Sequence, residues 1–223
     1  MTVEETLTQL RLKSSPRYLD GMKRFGISDE YAMGIPLPDL RKLAKRIKTD
    51  HDLATALWKT KIHEARMLAS MIADEKQLTE KQADEWVADF NSWDICDQVC
   101  GNILYKTPFA HQKSLEYAAA QEEFVKRAGF VLMAEFAIHK KSEADDFFLS
   151  FFPVMEREAW DNRNFVKKAI SWSLRQIGKK NHPLMLAAIH TAHRIATQNH
   201  KAARWIASNA LNELSSKTSL INN

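Results

Sequence analysis

In the stretch SWDICDQVC, residues 92–100, Trp93 and Asp97 stand four positions apart. On a helix that spacing puts an indole and a carboxylate on one face, a turn apart. Asp94 has an ordinary explanation: with Asn91 as N-cap it falls in the first turn, where the helix dipole favours an acid. Asp97 lies a full turn further in, flanked by Cys96 and apolar residues. A carboxylate beside aromatic faces suits positive charge, whether on a ligand or developing in a transition state. Two further residues fit such a site. Arg127 offers a fixed cation, and Trp172, four positions after Lys168, offers a second indole. Each has a plainer reading: an indole on a packed helix is commonly core, and Asp97 with Arg127 could be a structural ion pair. The chemical reading rests on all of them falling in one repeat register.

The elements that must position these residues read as helices. Gly and Pro are scarce, six of each, which argues against a turn-rich β fold. Ser15-Pro16 has the cap-then-proline order of a helix start. In MGIPLPDLRKLAKRIK a rigid turn at Pro36 and Pro38 leads into an amphipathic helix with Leu40, Leu43, Ala44 and Ile47 on one side. HEARMLASMIAD, EEFVKRAGFVLMAEFAIHKK, RNFVKKAISWSLRQIGKK and HKAARWIASNALNEL all have helical spacing and propensity, with short breaks between them. They also repeat. A basic residue precedes a similar apolar pattern at Arg66, Arg127, Lys168 and Arg204, in steps of 61, 41 and 36. Placing WDICDQVC in the first gap divides it into steps of 31 and 30. These periods suit paired-helix repeats. The expected fold is all-α: a right-handed superhelical stack of HEAT-like antiparallel helix pairs, whose second helices line a concave basic groove. A single domain is expected over residues 1–223, with the repeat core at about 18–214 and a frayed polar tail, Ser215–Asn223.

The 223-residue chain is long enough for one substantial core or a continuous repeat array. At 45% hydrophobic and 27% charged residues it is too apolar for a disordered protein. No apolar run reaches membrane-spanning length, and MTVEETLTQL lacks the pattern of a secretory signal, so a cytoplasmic location is expected. Cys96 and Cys100 read as buried thiols; two cysteines exclude a disulfide framework, and a zinc site would need more ligands. Neither metal nor cofactor is expected, and a monomer is. The net charge of +4 hides an asymmetry. From Asn162 to Asn212 there are nine Lys and Arg and no acid, whereas acids outnumber bases in the remainder. Such a block suggests a polyanionic partner, nucleic acid first. Lys167, Lys168, Arg175 and Arg204 within it, and Arg66 before it, are candidate contacts to a phosphate backbone.

The repeat column then reads Arg66, Asp97, Arg127, Lys168, Arg204: one acid in a ladder of bases. A carboxylate repels phosphate, so in a DNA groove it needs another purpose. The developing cation on DNA is the sugar oxocarbenium formed as a glycosidic bond breaks. A carboxylate stabilises that charge and orients the attacking water, as in glycoside hydrolysis. An N-alkylated purine is already cationic and leaves without an acid catalyst.

The motifs MGIPLPDLRKLAK, HEARMLA, SWDICD, FVKRAGF, FVKKAISWSLRQIGK and ARWIASNAL, running from about Tyr18 to Leu214, resemble the AlkD family of DNA alkylation repair glycosylases, which are HEAT-like repeat proteins. In that family a Trp and an Asp four residues apart, an Arg in the next repeat and a Trp in the following one form the active site. The matching positions here are Trp93, Asp97, Arg127 and Trp172. The resemblance implies excision of N3- and N7-alkylpurines from double-stranded DNA, leaving an abasic site. The damaged nucleotide would be held by its backbone and sugar rather than in a base-shaped pocket. It also implies a DNA contact from an N-terminal aromatic, often Tyr; the counterpart is Phe25, before GISDEYAMGI, which lacks the hydroxyl. Two alternatives stay open: a non-catalytic binder of DNA structure, and a solenoid scaffold for protein partners.

Overall fold

The computed structural model describes residues 1–221, with side-chain environments through residue 216. Among these there are fourteen α-helices, one 3-10 turn and no strand. No described helix is long and apolar enough to cross a membrane. Two compact units divide the chain, Met1–Pro108 and a second beginning at Phe109.

The first unit holds α1 (Val3–Arg11), α2 (Pro16–Arg24), α3 (Leu37–Ile47), α4 (His51–Lys59), α5 (His63–Ile72), α6 (Glu80–Ala88) and α7 (Trp93–Asn102), followed by a 3-10 turn at Leu104–Lys106. The starts of these helices follow local chemistry. Thr2 and Glu5 form a reciprocal capping box on α1. Ser15 accepts from the Tyr18 N–H with Pro16 in the first turn of α2, and Asp50 and Thr79 cap α4 and α6. α5 packs between α3, α4 and α7, burying Ala65, Leu68, Ala69 and Ile72 against Leu40, Leu57, Ile95 and Val99. Cys96 and Cys100 are buried in the same layer and form no disulfide, as their sequence context suggested.

The repeat is visible in the hydrogen bonds. His51–Gln82, Trp58–Asp89 and His63–Asp94 each join positions 31 apart, and Ser70–Asn102 joins positions 32 apart. The 31-residue step between Arg66 and Asp97 is therefore the structural register.

The second unit holds α8 (Ala110–Ala118), α9 (Glu123–His139), α10 (Asp145–Leu149), α11 (Phe152–Glu158), α12 (Asn164–Gly178), α13 (His182–Ala196) and α14 (Lys201–Ile221). Helix α9 is enclosed by α8 and α12, and α12 also packs on α13 and α14. Phe124 and Phe165, 41 positions apart, meet at 5.6 Å between ring centroids, in keeping with the step from Arg127 to Lys168. The next step differs from expectation. Ser171–Asn209 and Arg175–Glu213 both bridge 38 positions, so the register mate of Lys168 is the buried Ile206, two residues beyond Arg204. The tail also differs: residues 215–221 continue α14, and only 222–223 lie outside the described residues.

Helices α8 and α9 approach through Gly129. A Cβ built there would stand 2.3 Å from the Ala118 nitrogen and 2.7 Å from the Ser114 carbonyl oxygen. Both are backbone atoms, so only separation of the helices would relieve the overlap. Gly129→Ala is expected to cost about 3 kcal/mol, the upper end of ordinary overpacking. For a chain of this size that lowers Tm by roughly 6–12 °C, measurable by calorimetry.

Candidate functional site

A cleft of about 580 Å³ opens in the first unit between α2, the turn before α3, α5 and α7. Trp93 and Asp97 line it together, both half-buried, as the helical spacing requires. The N-cap of α7 is Ser92 rather than Asn91. Asp94 keeps its place in the first turn but has a more specific partner than the helix dipole: its Oδ2 lies 2.8 Å from His63 Nε2. Burial alone would raise the Asp94 pKa. The His63 hydrogen bond and charge, with the Ile95 N–H, outweigh burial and hold it below the usual carboxylate range.

Glu64 positions the opposite wall. Its buried carboxylate accepts the backbone N–H groups of Met33 (2.8 Å), Gly34 (2.7 Å) and Ile35 (3.1 Å). Gly34 has φ of 72°, and a Cβ there would meet the Ser15 carbonyl oxygen at 2.5 Å. The turn before α3 is thus wound around Glu64 and set against the start of α2. Two side chains of α2 and its C-cap reach the cleft as a result: Tyr18, 43% exposed, and Phe25, 68% exposed. The Phe25 carbonyl accepts the indole N–H of Trp93 at 3.0 Å. Phe25 was expected as an aromatic contact only; its backbone also fixes the indole. Tyr18 was missed. It follows the Ser15-Pro16 helix start, where its N–H serves the cap, and nothing in its spacing marks the side chain as facing a cleft. The cleft therefore combines carboxylates with three aromatic side chains, which suits a cation, and the exposed Arg17 at its edge adds one positive charge.

In the second unit Arg127 is buried, and its Nη1 donates to the Phe165 carbonyl at 2.7 Å. Trp172 is half-buried on α12. With the Gln176 amide oriented to satisfy both neighbours, its oxygen accepts from Trp172 Nε1 at 2.8 Å and from Lys179 Nζ at 3.1 Å. Lys168 is exposed, and the Lys167 ammonium lies 5.6 Å from the centre of the Trp205 ring.

Two expected phosphate contacts are corrected. Arg66 is only 5% exposed. It lies 5.0 Å from the Trp58 ring centre and donates to the Trp58 carbonyl, the Asp89 carbonyl and the Asp89 carboxylate. Its charge is consumed within the protein. Arg175 is held by the Ser171 carbonyl and by Glu213, which also pairs with Lys179. The acid-free block is therefore less cationic in space than in sequence: Asp161 pairs with Arg163 and Glu156 with Arg194 from just before it, and Glu213 reaches in from just beyond it. Arg204 is exposed but occupies the first turn of α14, out of the column's register. Among the described residues no group of three or more His, Cys, Asp or Glu could hold a metal ion.

Helix pairs in a repeating register define an all-α repeat protein, one of whose helices sets a carboxylate and an indole on the face that lines an aromatic cleft. The family described as DNA alkylation repair enzyme matches residues 6–214, and the chain belongs to that family. A solved structure shares the fold with a TM-score of 0.78 and 20% identity over 93% of each chain. It is described as a new family of proteins related to the HEAT-like repeat DNA glycosylases with affinity for branched DNA structures. No curated protein matches the chain.

Proposed function

We propose that this protein is a monofunctional DNA glycosylase that hydrolyses the N-glycosidic bond of cationic N3- and N7-alkylpurines in duplex DNA. The observation that carries the proposal is the pairing of Asp97 with Trp93 on one wall of a cleft whose other wall presents Tyr18 and Phe25. As the C1′–N bond breaks, its electron pair leaves with the purine and cancels the ring's positive charge. The sugar becomes an oxocarbenium ion. Asp97 stabilises that cation and orients a water, which bonds to C1′ and passes a proton to the Asp97 carboxylate, and from there to solvent, to yield the abasic hemiacetal. Trp93 packs on the sugar and shields the carboxylate from bulk water. Tyr18 supplies a hydroxyl that Phe25 lacks. Arg127 and Trp172 are proposed contacts to the same DNA from the second unit, with Lys167, Lys168 and Arg204 as backbone contacts. The direct test is base release from methylated duplex DNA by wild type and Asp97→Asn.

A second reading has its own support, the affinity for branched DNA of the protein with the shared fold. In that reading the chain binds DNA structure without cutting the glycosidic bond, and wild type releases no base. Both readings share the backbone contacts. Lys168→Glu is expected to weaken duplex binding uniformly across sequences and to make the slope of log K against log salt shallower by about one. Fluorescence anisotropy over a salt series measures both, and an unchanged slope removes Lys168 from the interface.

A further inference from the structure

We propose that Trp160 is a stacking platform for an unpaired nucleobase, in a second DNA-contact site separate from the Asp97 cleft. The inference rests on DNA being the ligand and extends that reading to a different part of the molecule. Trp160 lies in the turn between α11 and α12 and is 48% exposed, unusual for the largest apolar side chain on a surface. It borders an open cleft of about 600 Å³ with Arg157, Asn199 and His200. One face of the indole is fixed from below: the Lys126 ammonium lies 5.1 Å from the ring centre. That ammonium is itself held by Glu158 at 2.9 Å and Asp161 at 3.5 Å. The ring is therefore pre-ordered, with one face on the protein and the remainder toward solvent.

The surroundings match a nucleotide. Asn199 and His200 bring hydrogen-bonding groups suited to a base edge. Arg204, exposed on the next turn, reaches Asn199 Oδ1 at 3.4 Å and places a cation beside the cleft for phosphate. Lys201 adds a second exposed cation. A preformed aromatic face with adjoining cations is the arrangement by which proteins hold single-stranded nucleic acid, and it tolerates any base because each has a π face. In a fully paired duplex the bases are stacked on one another, so this platform takes only a base freed at a gap, an overhang or a branch.

The test compares three ligands of equal duplex length: a blunt duplex, one with a mixed-sequence 3′ single-stranded overhang, and one whose overhang carries abasic residues. Wild type is expected to bind the base-bearing overhang at least about fivefold more tightly than the blunt duplex, as base–aromatic stacking predicts. The abasic overhang, with the same phosphates, should lose that advantage. Trp160→Ala should lose it as well while binding the blunt duplex like wild type. A folding defect in Trp160→Ala would show as weakened blunt-duplex binding, and the abasic comparison on wild type then decides alone. Equal affinity for the base-bearing and abasic overhangs overturns the platform and leaves the glycosylase reading intact. Absence of binding to any of the three overturns both.

Discussion

Asp97→Asn is expected to release 7-methylguanine from methylated duplex DNA at least about 100-fold more slowly than wild type, while remaining folded and binding the duplex undiminished. Asparagine keeps the size and hydrogen-bonding reach of the side chain and removes only its charge. In a cleft walled by Trp93, Tyr18 and Phe25, a half-buried anion is only partly screened by water from charge that develops on a sugar held there. Removing one preorganised electrostatic group from such a site typically costs about 10²–10³ in rate. Duplex affinity should hold or rise, because a negative charge near phosphates is lost. Single-turnover base release, with anisotropy on the same substrate, separates the two quantities. Wild-type release by the folded variant would end the assignment of Asp97. Absence of release from wild type under conditions where it binds would favour the non-catalytic reading.

Lys126→Met is expected to destabilise the protein by about 3–5 kcal/mol, the cost of breaking a buried ion pair from one side. Lys126 is 1% exposed and its ammonium sits between Glu158 and Asp161. Burial pushes both carboxyls up in pKa. Hydrogen bonds from Lys126 and Arg157 to Glu158, and from Arg163 to Asp161, overcome this and hold both below their ordinary values. Carboxylates depressed in the folded state stabilise it above their unfolded pKa, near 4, and that stability is lost as pH falls through the folded values. Without Lys126 the two carboxyls rise towards their unfolded values, so less stability is lost as pH falls and the deficit of the variant relative to wild type should narrow in acid. Denaturant unfolding at neutral pH and an acid titration followed by circular dichroism check the two effects. Lys126→Met combined with Glu158→Gln should recover part of the loss, because one fewer charge is left buried.

Much of the architecture was legible in the sequence because helix starts and repeat spacing are local signals. The Ser15-Pro16 start, the 31-residue step through Asp97 and the shared face of Trp93 and Asp97 all follow from one-dimensional patterns. What failed depended on partners distant in sequence. Arg66 looked like a surface base, yet Asp89 and the Trp58 ring claim it across the repeat boundary. The acid-free block looked uniformly cationic, yet Glu213, Asp161 and Glu156 lie just outside its limits and pair with four of its bases. Arg204 was matched to Lys168 by residue type, whereas packing of α12 on α14 shifts the register by two. Tyr18 carried no signal of its own, since its place in the cleft is set by the Glu64-bound turn.

The bond from the Trp93 indole to the Phe25 carbonyl spans 68 positions of chain and joins two walls of one cleft. Moving the indole aside breaks its bond to the C-cap of α2, the helix that bears Tyr18. The N-terminal flank of the cleft and the face carrying Asp97 are thus tied by a bond worth about 1 kcal/mol, enough to bias the two walls to move together without locking them.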